Sequence, residues 1–260
     1  MENKNYGLQI HFPDKNAYTL GGLNSLPKEV LQPDGQWDLF LPAYEPQAEK
    51  FETCGCTVWG TQNAIEIYLK RLSGIEHNFS ERFNFILNDI VCPGSDPHKV
   101  CEEIRADGLV SSNVLPMTET LQEFLTPRPM EVEYLLEGQK FPYMFFHEWV
   151  VQGTEPDWKE KMKEALQYSP LCAAVYAWFP DGEKYMRMGT DNHWCVIFGY
   201  EEGKYWKCFD SYDHSIKHLD WDFWFYYVKR IHMVEKKEIV PKDNWLVELI
   251  KRFFKTLFKW

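Results

Sequence analysis

The sequence predicts an α+β fold of two packed lobes, on three observations. The first half of the chain carries apolar residues at helical spacing. The second half carries short apolar or alternating runs rich in Val, Ile, Phe, Tyr and Trp. The two kinds of segment do not alternate, which argues against a doubly wound parallel sheet. With 260 residues, 45% hydrophobic and 17% aromatic, the chain holds enough apolar material for a substantial core, which argues against disorder.

Residues 1–50 are rich in Pro, Gly and Asn and lack sustained periodicity. They read as an extended N-terminal arm with turns at Pro33-Asp34-Gly35 and Pro42, too short for a separate inhibitory domain. The stretch from Thr53 to Trp59 reads as a turn that delivers a cysteine onto the first turn of a helix over 56–72. Ile65, Tyr68, Leu69 and Leu72 form its apolar stripe, Lys70 and Arg71 sit in its last turn, and Ser73-Gly74 stops it. A second helix starts at Ser80-Glu81-Arg82-Phe83, carries Phe85, Ile86, Leu87 and Ile90, and ends in the turn Cys92-Pro93-Gly94-Ser95. Asp96-Pro97 opens a third, through Val100, Cys101 and Ile104 to Asp107-Gly108.

Between 118 and 150 the pattern is broken by Pro127, Pro129, Gly138 and Pro142, and only Thr118 to Leu125 reads as a helical turn or two. Thr154-Glu155-Pro156-Asp157 has the form of a capping box for a helix carrying Met162, Ala165 and Leu166. Strands are expected over Leu171–Tyr176, Trp194–Tyr200, Tyr205–Phe209 and Phe223–Val228, and the aromatic run Trp221 to Tyr227 reads as core. The body of the protein is thus assigned to 51–235 and a separate tail to 236–260. In that tail, Trp245, Leu249, Ile250, Phe253, Phe254 and Leu257 face away from Lys251, Arg252, Lys255 and Lys259. A basic amphipathic helix over 244–260 suits docking on its own protein as well as it suits a membrane surface or a partner protein.

The formal net charge of -11 argues against a nucleic-acid partner, which would need a concentrated basic surface. The N-terminus shows no apolar run after a basic start, so a soluble, cytoplasmic protein in a reducing compartment is expected. Seven cysteines, an odd number without paired short spacings, do not form a zinc pattern, and Cys172 and Cys195 lie in apolar runs as small core residues. His214 and His218 have a spacing seen at metal sites but lack further ligands nearby, so 214–218 reads as a solvated loop.

The chemistry-bearing candidates are a thiol, a base and a carboxylate. Cys56 at a helix N-terminus lies in the positive end of the helix dipole, which favours thiolate, although Cys54 is an alternative nucleophile. Asp191-Asn192-His193 precedes a buried strand that would hold the His193 ring at an edge, and Asp210 follows the next strand, placed to orient the imidazole.

These residues resemble the papain-like cysteine peptidases. Cys54-Gly55-Cys56 is similar to that family's cysteine signature shortened by one residue, and His193 follows at the expected separation. Phe79-Ser80-Glu81-Arg82, Asp107-Gly108-Leu109-Val110 with Leu115-Pro116, Glu164-Ala165-Leu166 through Leu171, Asn192-His193 with Gly199-Tyr200, Tyr205-Trp206 and Asp210-Ser211 fall in the family's order over residues 45–230. The resemblance implies a helical N-terminal lobe, a β-barrel-like C-terminal lobe and an active-site cleft between them. It also implies hydrolysis of polypeptides through a Cys56-His193-Asp210 triad and a thioester acyl-enzyme, with neither cofactor nor metal. Lys50 stands where the family's oxyanion Gln is usual, so that role passes to Gln47, with the Cys56 N–H as second donor. Asp210 replaces the Asn of papain itself, and Tyr212-Asp213 replaces a Trp-Gly pair. Alternatives are a bacteriocin-processing type of thiol hydrolase and a catalytically silent scaffold. Cys54 and Cys92 are a candidate pair in an oxidising environment.

Overall fold

The computed structural model describes residues 5–10 and 18–236; the tail assigned to 244–260 lies outside the described residues. The element around which the rest packs is α1 (Cys56–Ser73). Gly74 ends it in the left-handed region at φ 70° and donates its N–H to the Lys70 carbonyl, while Lys70 and Arg71 complement the negative end of the dipole. The expected stripe understates its burial: every residue from Cys56 to Leu69 is buried, including Thr57, Thr61, Gln62, Asn63 and Glu66. Such polar groups are tolerated where they find partners. Gln62 donates to Asn84 Oδ1, Thr61 accepts from the Trp194 indole, and Glu66 accepts the Phe79 N–H.

Two of the following helices start as the sequence predicts. In α2 (Glu81–Leu87) the Ser80 side chain accepts the Phe83 N–H, and in α3 (Pro97–Asp107) Asp96 accepts the His98 N–H ahead of Pro97. The turns near 120 become α4 (Leu121–Phe124), closed by a capping box of Thr120 and Glu123. It is followed by α5 (Val132–Gln139), which the Pro and Gly spacing had hidden. The capping box expected at Thr154 is absent. Before α6 (Trp158–Leu166), Asp157 makes no capping bond and Glu155 instead accepts the Gln152 N–H.

The strands are β1 (Tyr143–Gln152), β2 (Leu171–Val175), β3 (Phe179–Asp181), β4 (Lys184–Met186), β5 (His193–Glu201), β6 (Tyr205–Phe209), β7 (Lys217–Asp220) and β8 (Tyr227–Glu235). They form one sheet in the order β1-β8-β2-β5-β6-β7-β4-β3, antiparallel except where β4 meets β7. The sheet is open, where a barrel-like arrangement was expected. Two strand assignments need correction. The strand expected at Phe223–Val228 begins only at Tyr227, and β1 was not anticipated at all. Both are masked by buried polar residues. Glu148 and Arg230 stand opposite each other in the β1–β8 register and form a fully buried ion pair, and Lys229 is likewise buried. Such residues interrupt the apolar pattern by which a strand is recognised, while pairing removes the cost of burying each alone.

Two features bring α1 and the sheet together. A Cβ added at Gly60 would lie 2.9 Å from the Trp194 carbonyl oxygen, so the glycine is what lets α1 approach β5 this closely. The segment expected as an N-terminal arm is also packed in: Trp37 is fully buried, with its N–H bonded to the Phe198 carbonyl and its indole to the Leu166 carbonyl.

Candidate active site

Cys56 is the first residue of α1. The turn before it is tight: Cys54 adopts φ 54° and donates its N–H to Glu52, and at Gly55 a Cβ would lie 2.6 Å from the Trp59 ring. Cys54 is joined to Cys92 by a disulfide, which leaves Cys56 as the free thiol of the pair. The helix that starts at Cys56 packs on the strand that His193 opens, with Gly60 against the Trp194 backbone.

His193 opens β5, and its Nε2 lies 2.7 Å from Asp210 Oδ1, just past the end of β6. The other ring nitrogen, Nδ1, is buried and has no hydrogen-bond partner. Asp210 is held on both oxygens. Oδ1 also accepts the Tyr212 N–H, while Oδ2 accepts the Trp178 indole N–H at 3.0 Å and lies 3.4 Å from Lys217 Nζ. Burial alone would push the Asp210 carboxyl up, but the charge and hydrogen bond of His193, with the charge of Lys217, hold it below its ordinary value. The loop reading of 214–218 is therefore corrected in part: Lys217 begins β7, is buried, and pairs with Asp213 as well as Asp210. His214 packs on Tyr44 and His218 stacks on Tyr205. Among the described residues no group of three His, Cys, Asp or Glu is placed to hold a metal ion.

Gln47 lies in this neighbourhood and is buried. Its Oε1 accepts from Ser211 Oγ at 2.6 Å, its N–H donates to the Ser211 carbonyl, and its carbonyl accepts from Thr53. With Oε1 held by Ser211, the amide nitrogen points its protons elsewhere; it lies 3.5 Å from the Tyr6 carbonyl. Lys50, by contrast, pairs with Glu119 at the surface.

The site is covered. Tyr6 packs edge-on against both His193 and Tyr212, with ring centroids 5.4 and 4.9 Å apart, and its N–H donates to the Asn192 carbonyl. Ser95 donates to the Gly7 carbonyl and accepts from the Gln9 N–H, which seats Leu8 beside Ser95 as a single parallel bridge. Cys56 and His193 are both 0% exposed. Burial pushes the Cys56 thiol well up, with the Asp210 and Glu52 charges adding to it, against the N–H groups of Trp194 and Thr57. In this form burial outweighs the dipole effect expected at the helix N-terminus.

The sequence reading therefore brings together Cys56, His193, Asp210 and Gln47, and misses Trp178, Lys217 and the covering Tyr6. Nothing in the pattern marks them. Trp178 sits in a connection between short strands, and residues 1–10 have no periodicity.

No family model matches the chain, and no curated protein matches its sequence. Solved structures do match. The digestive procathepsin L 3 of Tenebrio molitor larval midgut superposes with a TM-score of 0.60 over 88% of this chain and 76% of that one, at 14% identity. The fold is papain-like. Bromelain from Ananas comosus, solved in complex with the E64 inhibitor, matches with a TM-score of 0.54 over 77% of this chain and 98% of its own, at 15% identity. The clostridial cysteine protease Cwp84 matches with a TM-score of 0.59 at 13% identity, over 77% of this chain and 57% of that one. These neighbours are cysteine proteases or their precursors. The papain-like fold accounts for the order of motifs along the chain, with the cysteine at the start of a buried helix, the histidine opening one strand and the carboxylate just past the end of the next.

Proposed function

We propose that this chain is a cysteine peptidase that cleaves polypeptides through a thioester on Cys56. The observation that carries the reading is the His193 ring: Asp210 occupies Nε2, Nδ1 is spare, and α1, which starts at Cys56, packs on the strand that His193 opens. That arrangement supports transfer of the Cys56 proton to Nδ1 while Asp210 fixes the tautomer and stabilises the imidazolium. The sulfur attacks the substrate carbonyl carbon, and negative charge moves onto the carbonyl oxygen. The Cys56 N–H and the Gln47 amide nitrogen are the donors for that oxygen. Collapse of the adduct breaks the C–N bond, with the proton on Nδ1 passing to the leaving amine. Water, deprotonated by the same nitrogen, then hydrolyses the thioester.

Trp178 and Lys217 act through Asp210, keeping it ionised and oriented. In the form described here Tyr6 and Leu8 occupy the ground a substrate needs, so catalysis requires residues 5–10 to leave. The Cys54–Cys92 disulfide favours an oxidising compartment over the reducing one expected from the N-terminus. The test is cleavage of an unfolded protein substrate by the full chain, followed by mass spectrometry of the products. Cleavage that disappears in Cys56→Ala supports the reading; cleavage that persists in Cys56→Ala overturns it.

A further inference from the structure

The register of β5 and β6 places two side-chain pairs on one diagonal. Val196 stands opposite Phe209 and Ile197 opposite Cys208, so His193, Cys195, Cys208 and Asp210 share one face of the ladder. His193 reaches Asp210 across the same offset by which Cys195 reaches Cys208, two residues further along each strand. The first contact closes to 2.7 Å, and the second brings Cys208 Sγ to 3.1 Å from Cys195 Sγ. That is nearer than two sulfurs sit in ordinary non-bonded contact. Both residues are buried, and the chain already contains the Cys54–Cys92 disulfide.

We propose that Cys195 and Cys208 form a second, cross-strand disulfide that ties β5 to β6 directly below His193 and Asp210. The oxidant is a small-molecule disulfide. One cysteine, as thiolate, attacks it and forms a mixed disulfide, releasing one small-molecule thiol. The second cysteine attacks its partner's sulfur, forms the Cys195–Cys208 bond and releases the second thiol, so two protons and two electrons leave with the two thiols. The exchange belongs to the folding chain, before β6 closes on β5, because neither sulfur is accessible afterwards. Burial also pushes the Cys195 thiol far above its ordinary value, so that thiol is a poor nucleophile once folded, and the burial of both sulfurs shields the closed bond from thiols in solution. Cys101 and Cys172 lie elsewhere, on α3 and β2.

The full chain is refolded in an excess of oxidised over reduced glutathione, trapped with iodoacetamide in denaturant, and digested without reduction. The expected map shows peptides linked through Cys195 and Cys208 alongside those linked through Cys54 and Cys92, with alkylation confined to Cys56, Cys101 and Cys172. Alkylation of both Cys195 and Cys208, or linkage of either to another cysteine, overturns the proposal. The outcome is independent of whether the chain hydrolyses peptides.

Discussion

Truncating Leu8 to alanine is expected to open the site without altering any residue assigned to the chemistry. Leu8 is buried to 4% exposure beside Ser95. Leu→Ala in a buried position costs about 2–5 kcal/mol, and the lower end is the conservative figure. A loss of about 2 kcal/mol, at about 1.4 kcal/mol per tenfold, raises the uncovered fraction by about 25-fold. The assay is the rate of iodoacetamide modification of Cys56 in the native chain, read by peptide mass spectrometry. Buried Cys101 and Cys172 act as internal references, since global unfolding would label all three alike. A Cys56 rate about 25-fold higher in Leu8→Ala, with the references unchanged, is predicted. Equal Cys56 rates in the two proteins would refute the reasoning that residues 5–10 cover the thiol.

Four further outcomes are expected. Asp210→Ala should lower kcat by about 10²-fold or more, since His193 loses its orienting acceptor, whereas Asp210→Asn, which keeps an acceptor oxygen, should retain far more; steady-state kinetics on one peptide separates them. Gln47→Ala should lower kcat by about 10²–10³-fold with KM little changed, and a change confined to KM would remove Gln47 from the oxyanion site. Burial, with the charges of Glu45 and Glu66 beside it, holds the Glu81 carboxyl well above its ordinary value. The folded state thus binds that proton more tightly than the unfolded state, so its stabilisation is complete below the ordinary carboxylate range and is lost as pH rises from that range up through the raised folded-state value. Thermal unfolding should show a fall in Tm over that rise which Glu81→Gln reduces. Gly60→Ala should destabilise the fold by about 1–3 kcal/mol in urea, because its Cβ meets both the backbone and the fully buried indole of Trp194.

Much of the candidate site was legible because its parts sit at element ends. Cys56 at the start of α1, His193 at the start of β5 and Asp210 after β6 are each flagged by a turn next to a periodic segment. The caps at Ser80 and Asp96 were readable for the same reason, as local side-chain to backbone bonds. What was hidden depends on contacts between distant residues. β1 and β8 look polar because Glu148 pairs with Arg230, and His147 with Lys229, only once the strands meet. Lys217 looks solvated until Asp210 and Asp213 surround it. The N-terminal cover is held by backbone hydrogen bonds of Tyr6, Gly7 and Gln9, which leave no mark on residue type.

The central claim, that Cys56 is a nucleophile activated by His193, is tested most directly by labelling with a peptidyl epoxide in the Leu8→Ala background. Peptide mapping is predicted to find one adduct, on Cys56, and to find it lost when His193→Ala is added. An adduct that forms equally without His193, or none on Cys56 at all, would contradict the account.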